Sequence, residues 1–252
     1  MCSKPVVDLT RKNLTMVRPA PLNNIDHAGL RVRTERRAEL GDNVMLAPVY
    51  LHEFRRVQAH YPIVFTREGE ERRLRPIALF GLEKGINLFL TNNRWDAPYV
   101  PIRMRMAPFL VGRDGGGGLS VHIDLDHPRV SEFEGEPLFL VQGGNAPILQ
   151  QASETLSEAH SGEQQLHAFT AMLDELSLTE PFTLDIKLAD GTQGQLAGFE
   201  TVAEETLQAL EGVTLERLSR SGYLISLFMA TASLAQFTTL ISRRNALCGG
   251  AG

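Results

Sequence analysis

Cysteine is nearly absent from this sequence. Its 252 residues contain only Cys2 and Cys248, and neither belongs to a Cys-x-x-Cys pair or a Cys/His cluster. This excludes a disulfide framework and a zinc-finger pattern, and it agrees with a reducing compartment. Hydrophobic residues make up 43% of the chain and charged residues 22%, which is typical of a folded protein with a sizeable core.

Targeting and nucleic-acid signals are also missing. The first residues contain no continuous apolar run of the kind that a secretory signal needs, so we expect a cytoplasmic protein. The formal net charge is −5, without the basic surplus of a nucleic-acid binder, and we expect no nucleic-acid partner. The glycines at 115–118 are not followed by the Lys-Ser/Thr of a phosphate loop, which favours a hairpin turn.

Basic residues are scarce in the second half of the chain. Residues 1–75 contain 14 Lys or Arg and 9 Asp or Glu, whereas residues 122–216 contain 2 and 18. Two interpretations stay open. The acidic half docks on the basic N-terminal half or on a basic partner, or its helices and turns simply have solvated acidic faces.

The order of predicted elements indicates an α+β protein. We predict mainly antiparallel strands in the N-terminal half and helices in the C-terminal half, because the two types are segregated rather than alternating. The predicted helices are 49–60, 147–160, 163–176, 203–210 and 214–221; the predicted strands are 63–65, 75–82, 87–91, 108–113 and 119–125, with a hairpin at 182–202 around Asp190-Gly191.

A long apolar helix closes the chain. From Tyr223 to Ser242 no residue is charged, and the predicted helix runs to about Arg244. This length suffices for a bilayer span, but the Ser, Thr and Gln residues within it favour a core helix, so we expect no membrane span; an interface helix is the third alternative. We expect one domain over 1–252, which could divide near residue 145, and a disordered tail at 245–252.

The best metal candidate lies at the end of a predicted strand. Because side chains alternate along a strand, His122, Asp124 and Asp126 share one face, and His127 follows in the loop. A histidine with two carboxylates suits Zn²⁺, Mn²⁺ or Fe²⁺. The alternative is a solvated strand edge, because residues two apart on one strand rarely converge on one ion.

The proline-rich segment at 94–105 is the best candidate for a binding surface. Aromatic rings offer flat amphipathic area, and arginines fork onto carboxylates or phosphates, so this mixture suits a protein, small-molecule or oligosaccharide partner. The alternative is a loop whose aromatics fill the core and whose arginines pair with the acidic half. The candidate ligand-binding residues are Trp95, Asp96, Tyr99, Arg103 and Arg105.

Several stretches of the sequence are similar to those of a known protein family. The most specific are YPIVF at 61–65, RWDAPYVPIRMRMAPFLV at 94–111 and EGEPLF at 134–139. Together they resemble the SapC family of bacterial proteins, from about residue 20 to residue 244. The resemblance implies a bacterial protein of a family named for surface-layer gene clusters, and it supplies no catalytic residues.

The expected function is therefore that of a non-enzymatic accessory or binding protein of SapC type. A link to the surface layer, or to the transport of an exported or imported substrate, is part of this expectation. No cofactor is expected and no motif indicates an enzyme. The alternative is a metal-dependent enzyme that uses the His/Asp cluster at 122–127.

Overall fold

A computed structural model describes residues 18–249 and confirms the α+β class, with antiparallel sheets in the N-terminal part and helices in the C-terminal part. The strands are β1 Pro19–Pro21, β2 Arg31–Val32, β3 Leu46–Pro48, β4 Ile63–Glu68, β5 Arg73–Leu79, β6 Leu90–Thr91, β7 Arg94–Trp95, β8 Phe109–Arg113, β9 Leu119–Asp124, β10 Val130–Ser131, β11 Glu136–Pro137, β12 Thr179–Lys187 and β13 Gln193–Val202. The helices are α1 Phe54–Val57, α2 Ile102–Met106, α3 Pro147–Glu175, α4 Glu204–Gln208, α5 Gly212–Arg220, α6 Tyr223–Ser233 and α7 Gln236–Gly249, with 3-10 turns at Ala38–Leu40 and Leu51–Glu53.

The main sheet has five antiparallel strands in the order β12-β13-β4-β5-β3. Its central strands are apolar runs, and Ile63, Val64 and Ile77 are fully buried. Helix α3 packs on β5, and α6 packs on β4 and β13. Phe169 of α3 lies edge-on to Tyr223 of α6, with ring centroids 5.2 Å apart. The two hairpins of this sheet therefore share one apolar cluster with both helices.

A second apolar cluster lies around the three-stranded sheet β1-β9-β8. It includes Ile102 and Met106 of α2, and Ile123 of β9. Helix α3 runs along both clusters, because Leu156 in its first half belongs to the second cluster and Phe169 in its second half belongs to the first. A single helix thus connects the two apolar regions.

The sequence-based prediction of two helices at 147–160 and 163–176 was wrong, because α3 is continuous from Pro147 to Glu175. Gly162, which lies between the two predicted helices, is part of the continuous helix. A Cβ atom at this position would lie 2.7 Å from Cγ of Tyr50. The glycine therefore permits close packing of α3 against the 50–53 segment rather than ending the helix.

Other boundaries also differ from those predicted. The helix expected at 49–60 consists of the 3-10 turn at 51–53 and the single turn of α1. The strand expected at 87–91 is limited to β6. At its expected start, the side chain of Asn87 accepts a hydrogen bond from Phe89 N, and this local bond takes the place of strand pairing. The closing helix divides at Leu234 and Ala235, and helical structure continues to Gly249. Residues 250–252 lie outside the described residues.

An ion cluster around the buried carboxylate of Asp42 holds the 33–42 segment against the rest of the chain. Asp42 and Arg129 are 1% and 2% exposed, and Arg129 Nη2 lies 2.5 Å from Asp42 Oδ2. Arg36 donates to the other carboxylate oxygen at 3.1 Å, and Arg37 N donates to Oδ2 at 2.8 Å. Burial lowers the pKa of Arg36, against the opposing effect of Asp42. Every side of this carboxylate is therefore occupied by a donor.

The buried pair predicts a large mutational effect. Asp42→Ala leaves the Arg129 guanidinium buried without its carboxylate, and we expect urea denaturation to show a loss of about 3–5 kcal/mol in the free energy of unfolding. Arg220→Ala is the control, because it removes the exposed Arg220–Glu216 pair and should change stability little. Equal effects of the two substitutions would contradict the importance of burial here.

The acidic second half does dock on the basic first half. Arg67 of β4 contacts Glu200 of β13 at 2.8 Å and Asp174 of α3 at 2.7 Å. Arg75 of β5 donates to both carboxylate oxygens of Glu163, at 3.0 and 2.6 Å. The charge asymmetry of the sequence thus corresponds, at these residues, to ion pairs within the chain.

The Arg67–Glu200 pair predicts a pH dependence of stability. The hydrogen bond from Arg67 is the main cause that lowers the pKa of Glu200 below its usual 4.5, against desolvation. The unfolded chain therefore binds a proton more readily, so this stabilisation is complete above about pH 4.5 and is lost as the pH falls. In pH-dependent urea denaturation, Glu200→Gln should be less stable than the wild type at pH 7, and the difference should shrink towards pH 3. Glu180→Gln, at an exposed position of β12, is the control; an unchanging difference for Glu200→Gln would contradict the linkage.

Candidate functional site

The predicted binding segment follows a tight hairpin. Strands β6 and β7 pair through Leu90↔Trp95 and Thr91↔Arg94, and the two residues between them, Asn92 and Asn93, have φ of 52° and 58°. Asparagine tolerates this left-handed conformation, which two-residue hairpin turns require. The segment then passes Pro98 and Pro101 before α2 begins at Ile102. Its five predicted ligand-binding residues divide between two surfaces.

Trp95 lies at the boundary between the core and the first surface. Its Nε1 donates to Tyr61 Oη at 2.7 Å, and Tyr61 Oη donates to the carbonyl of Tyr99 at 2.5 Å. The indole packs edge-on against Phe80, with ring centroids 5.1 Å apart. Trp95 is half-buried, so it fills part of the core and presents the rest of its ring outward. Both of the sequence-based interpretations of this residue therefore describe part of its environment.

Asp96 joins the segment to the closing helix. Arg243 of α7 donates from Nη1 to Asp96 Oδ2 at 2.7 Å and from Nη2 to the Asp96 carbonyl at 3.0 Å. The same guanidinium lies over the Phe89 ring, 4.4 Å from its centroid. The carboxylate of Asp96 is thus engaged by an arginine that the sequence analysis did not connect with it, because the two positions are far apart in the chain.

A shallow cavity of about 730 Å³ opens beside these residues. One wall is the indole of Trp95, and the ion pair of Asp96 with Arg243 forms another part of the lining. Arg94 is exposed and forms no ion pair with the residues that the structure describes. The full lining is Thr91, Asn92, Arg94, Trp95, Asp96, Ala97, Pro98 and Arg243. An aromatic wall, neutral polar groups and an available guanidinium therefore meet in one depression.

Tyr99 is turned away from this cavity towards a buried carboxylate. Its hydroxyl donates to Glu53 Oε1 at 2.6 Å, and Ile102 N donates to the same oxygen at 2.7 Å. Tyr50 N donates to the other oxygen of Glu53 at 3.0 Å. Glu53 is 1% exposed, and the bond that it accepts from Tyr50 N caps the 3-10 turn at Leu51–Glu53. Burial, reinforced by the Glu53 charge, raises the pKa of Tyr99.

The second surface consists of arginines around Tyr99. The Cζ atoms of Arg56 and Arg105 lie 5.5 and 6.0 Å from the centroid of its ring. Arg105 also approaches Glu158 of α3 at 3.5 Å, as the alternative interpretation of these arginines expected. Arg103 is exposed and forms no ion pair within residues 18–249. This surface is basic, and it does not contribute to the lining of the cavity beside Trp95.

The candidate metal ligands are held apart by other contacts. His122 packs against Gly112 of the neighbouring strand, where an added Cβ would lie 2.1 Å from the imidazole, and its Nε2 is buried without a hydrogen-bond partner. Asp124 Oδ1 accepts from the backbone N–H of both Arg18 and Asp126, at 3.0 and 3.2 Å. Asp126 lies 3.4 Å from the Arg18 guanidinium.

His127 is engaged by its own turn, because its Nδ1 accepts from Arg129 N at 3.2 Å. Burial and the Arg129 charge lower the pKa of His127. Within residues 18–249, no three His, Cys, Asp or Glu side chains form a group that could hold a metal ion. The alternative of a metal-dependent enzyme therefore has no geometric support in the part of the chain that the structure describes.

Comparison with known proteins supports the family resemblance that the sequence indicates. A family model described as SapC matches residues 22–240, which is most of the chain. The chain belongs to the SapC family. No curated protein and no solved structure matches it. The matched region includes the cavity lining from Thr91 to Pro98 and all eight predicted site residues.

One residue beside the candidate site has a larger role than the sequence indicates. His52-Glu53 would begin a metalloprotease His-Glu-x-x-His motif, but Arg56 stands where the second histidine is needed, so the sequence indicates only a surface or capping role for Glu53. It is a capping residue, but its carboxylate also fixes the backbone at Ile102 and the hydroxyl of Tyr99. No local pattern marks these partners, since they lie 46 and 49 residues further along the chain.

Glu53 should be essential for the conformation of the segment. Glu53→Gln turns an amide group towards one of three donors, which then stays unpaired, so we expect urea denaturation to show a loss of about 1–3 kcal/mol. Tyr99→Phe removes a single donor and should cost less. Glu154→Gln, at an exposed position on α3, is the matched control. No loss in Glu53→Gln would contradict the assigned network.

Proposed function

We propose that this chain is a non-enzymatic accessory protein of the SapC family that binds an oligosaccharide or a similar polar, ring-containing molecule in the Trp95 cavity. The observation that carries the proposal is that the half-buried ring of Trp95 lines the cavity together with Arg94 and Asn92. Sugar rings stack on flat aromatic surfaces while their hydroxyls bond to amide, carboxylate and guanidinium groups. The cavity supplies each of these groups within one lining.

The surroundings of Trp95 support a binding role. The Tyr61 hydroxyl and the Phe80 ring hold the indole in place, so a ligand would meet an ordered aromatic wall. Such preorganisation lowers the entropy cost of binding. The Asp96–Arg243 contact likewise anchors α7 at the opposite part of the lining. The cavity is shallow and open, which suits one unit of a longer chain.

The wider role in the proposal follows from the family. The SapC family is named for an association with surface-layer gene clusters. We place the protein in the cytoplasm, where it would act as an accessory to the handling of an exported or imported substrate. Neither a cofactor nor a nucleic acid has a part in this proposal.

The single tryptophan of the chain provides a direct measurement. Titration with a panel of neutral and acidic oligosaccharides should change the emission of Trp95 in a saturable way. Arg94→Ala removes the unpaired guanidinium and should weaken binding about tenfold, equivalent to the loss of about 1.4 kcal/mol. Arg113→Ala, an exposed arginine on β8, is the matched control and should bind like the wild type.

Two outcomes would count against the cavity. Unchanged emission with every member of the panel would remove the oligosaccharide proposal. A loss of binding in Arg103→Ala but not in Arg94→Ala would move the site to the basic surface around Tyr99. Trp95→Ala is unsuitable as a test, because it also removes the contacts with Tyr61 and Phe80; Trp95→Phe keeps an aromatic ring there.

A further inference from the structure

The residues that line the Trp95 cavity carry an uneven charge. Two arginines, Arg94 and Arg243, and a single carboxylate, that of Asp96, belong to the lining. Arg243 is paired with Asp96 at 2.7 Å, so these two charges compensate each other. Within the lining, the charge of Arg94 is left uncompensated, although the chain as a whole has a formal net charge of −5. The cavity is therefore locally cationic on a protein that is acidic overall.

Arg243 is already engaged by contacts within the chain. Its Nη1 donates to Asp96 Oδ2 and its Nη2 donates to the Asp96 carbonyl, at 2.7 and 3.0 Å. Its guanidinium also lies over the Phe89 ring, and its Nε is buried. These contacts fix the position of Arg243 and use most of its donors. A negatively charged group that enters the cavity would therefore be bound by Arg94 rather than by Arg243.

Arg94 lies on a well-defined backbone. It pairs with Thr91 across the two-residue turn, and the hairpin register continues to Asp96, whose N–H donates to the Phe89 carbonyl at 2.7 Å. The side chain of Arg94 is exposed and forms no ion pair or hydrogen bond with residues 18–249. A guanidinium presents its donors in a planar fork that matches the two oxygens of a carboxylate. Arg94 thus offers an unused anion-binding group at the cavity.

Asp96 supplies a group of the opposite kind. Its side chain is 60% exposed, and Arg243 donates to its Oδ2. The other oxygen, Oδ1, accepts no hydrogen bond from the part of the chain that the structure describes. A free carboxylate oxygen accepts hydrogen bonds from hydroxyl groups and repels anions. This end of the lining therefore favours the hydroxyls of a ligand and disfavours its negative charges.

The hairpin sets the separation of these two groups. Arg94 and Asp96 are two residues apart in an extended chain, so their side chains leave the same face and their Cα atoms are about 7 Å apart. A ligand that contacts both groups needs an anionic group at one end of a ring and hydroxyls at the other. A neutral sugar leaves the charge of Arg94 uncompensated, whereas a densely charged polyanion is repelled by Asp96.

We infer that the cavity recognises an acidic sugar unit, in which one carboxylate binds to Arg94 while ring hydroxyls donate to Asp96 Oδ1 beside Trp95. This inference rests on the proposed binding of an oligosaccharide and names its chemical class, a sugar with a single carboxylate such as a uronic acid. A phosphate dianion is a poorer match, because its three oxygens call for more donors than one guanidinium supplies. Arg94 is thereby the residue that determines specificity.

A matched pair of ligands tests the inference through the emission of Trp95. Trigalacturonate and its methyl ester have the same rings and differ in the charge of their carboxyl groups. At pH 7 the wild type should bind trigalacturonate about tenfold more tightly than the ester, because hydrogen bonds between charged groups are stronger than neutral ones. Arg94→Gln should weaken the binding of trigalacturonate about tenfold and leave that of the ester unchanged. Arg113→Gln, an exposed position outside the lining, should keep the preference, and circular dichroism checks the folding of both variants.

The possible outcomes separate this inference from the proposed function. Saturable binding of both ligands with equal affinity would agree with oligosaccharide binding and would overturn the acidic sugar. An Arg94→Gln variant that retains the preference for trigalacturonate would overturn the role of Arg94. Emission that stays unchanged with both ligands would contradict the proposed function itself. Tighter binding of galactose 6-phosphate than of galacturonate would assign the anionic group to a phosphate and overturn the carboxylate.

Discussion

A buried carboxylate must be surrounded by donors, and the candidate site depends on how Glu53 meets this constraint. Its oxygens accept hydrogen bonds from Tyr50 N, Ile102 N and the Tyr99 hydroxyl. These three groups come from two segments that are distant in the sequence. By binding them together, one side chain fixes the backbone on which the 94–105 segment is built, and the Tyr61 hydroxyl then connects the Tyr99 carbonyl to Trp95.

The same constraint operates at Asp42 with cationic partners. There two guanidiniums and a backbone N–H surround the carboxylate, whereas Glu53 has no ion pair among the described residues. An unpaired buried carboxylate would be costly, so in both cases the carboxylate holds the surrounding donor groups in fixed positions. Neither residue forms part of the cavity lining, so their contribution to binding is indirect. Their role is to hold the backbone segments around them in place.

Fold and site also depend on connections made by α3. The helix contacts both apolar clusters, and its acidic residues pair with arginines of the first half, as Glu163 does with Arg75. The negative charge of the second half is therefore used, at these positions, to attach it to the first. In the 94–105 segment, by contrast, Arg94 and Arg103 form no ion pair among the described residues, and only Arg105 approaches a carboxylate of α3.

Local patterns were sufficient for much of the secondary structure. The hairpins at 109–124 and 179–202 follow from alternating apolar residues around glycine-containing turns, because strand periodicity and turn chemistry act over a few residues. The α+β class follows from the segregation of these patterns. The family itself was recognisable from short stretches such as YPIVF, and the matched region agrees with them. The division of α3 was wrong because the role of Gly162 depends on Tyr50 across the fold.

The sequence by itself determined that Trp95, Arg94 and Asp96 share one stiff segment, and that the closing helix is uncharged over 20 residues. Only the tertiary structure decided that Tyr99 turns to Glu53 while Trp95 borders a cavity with Arg243, because these partners come together from distant parts of the chain. It likewise decided which face of the closing helix is covered. Periodicity shows that a helix has an apolar face, but what packs on that face is set by contacts that the local sequence does not encode.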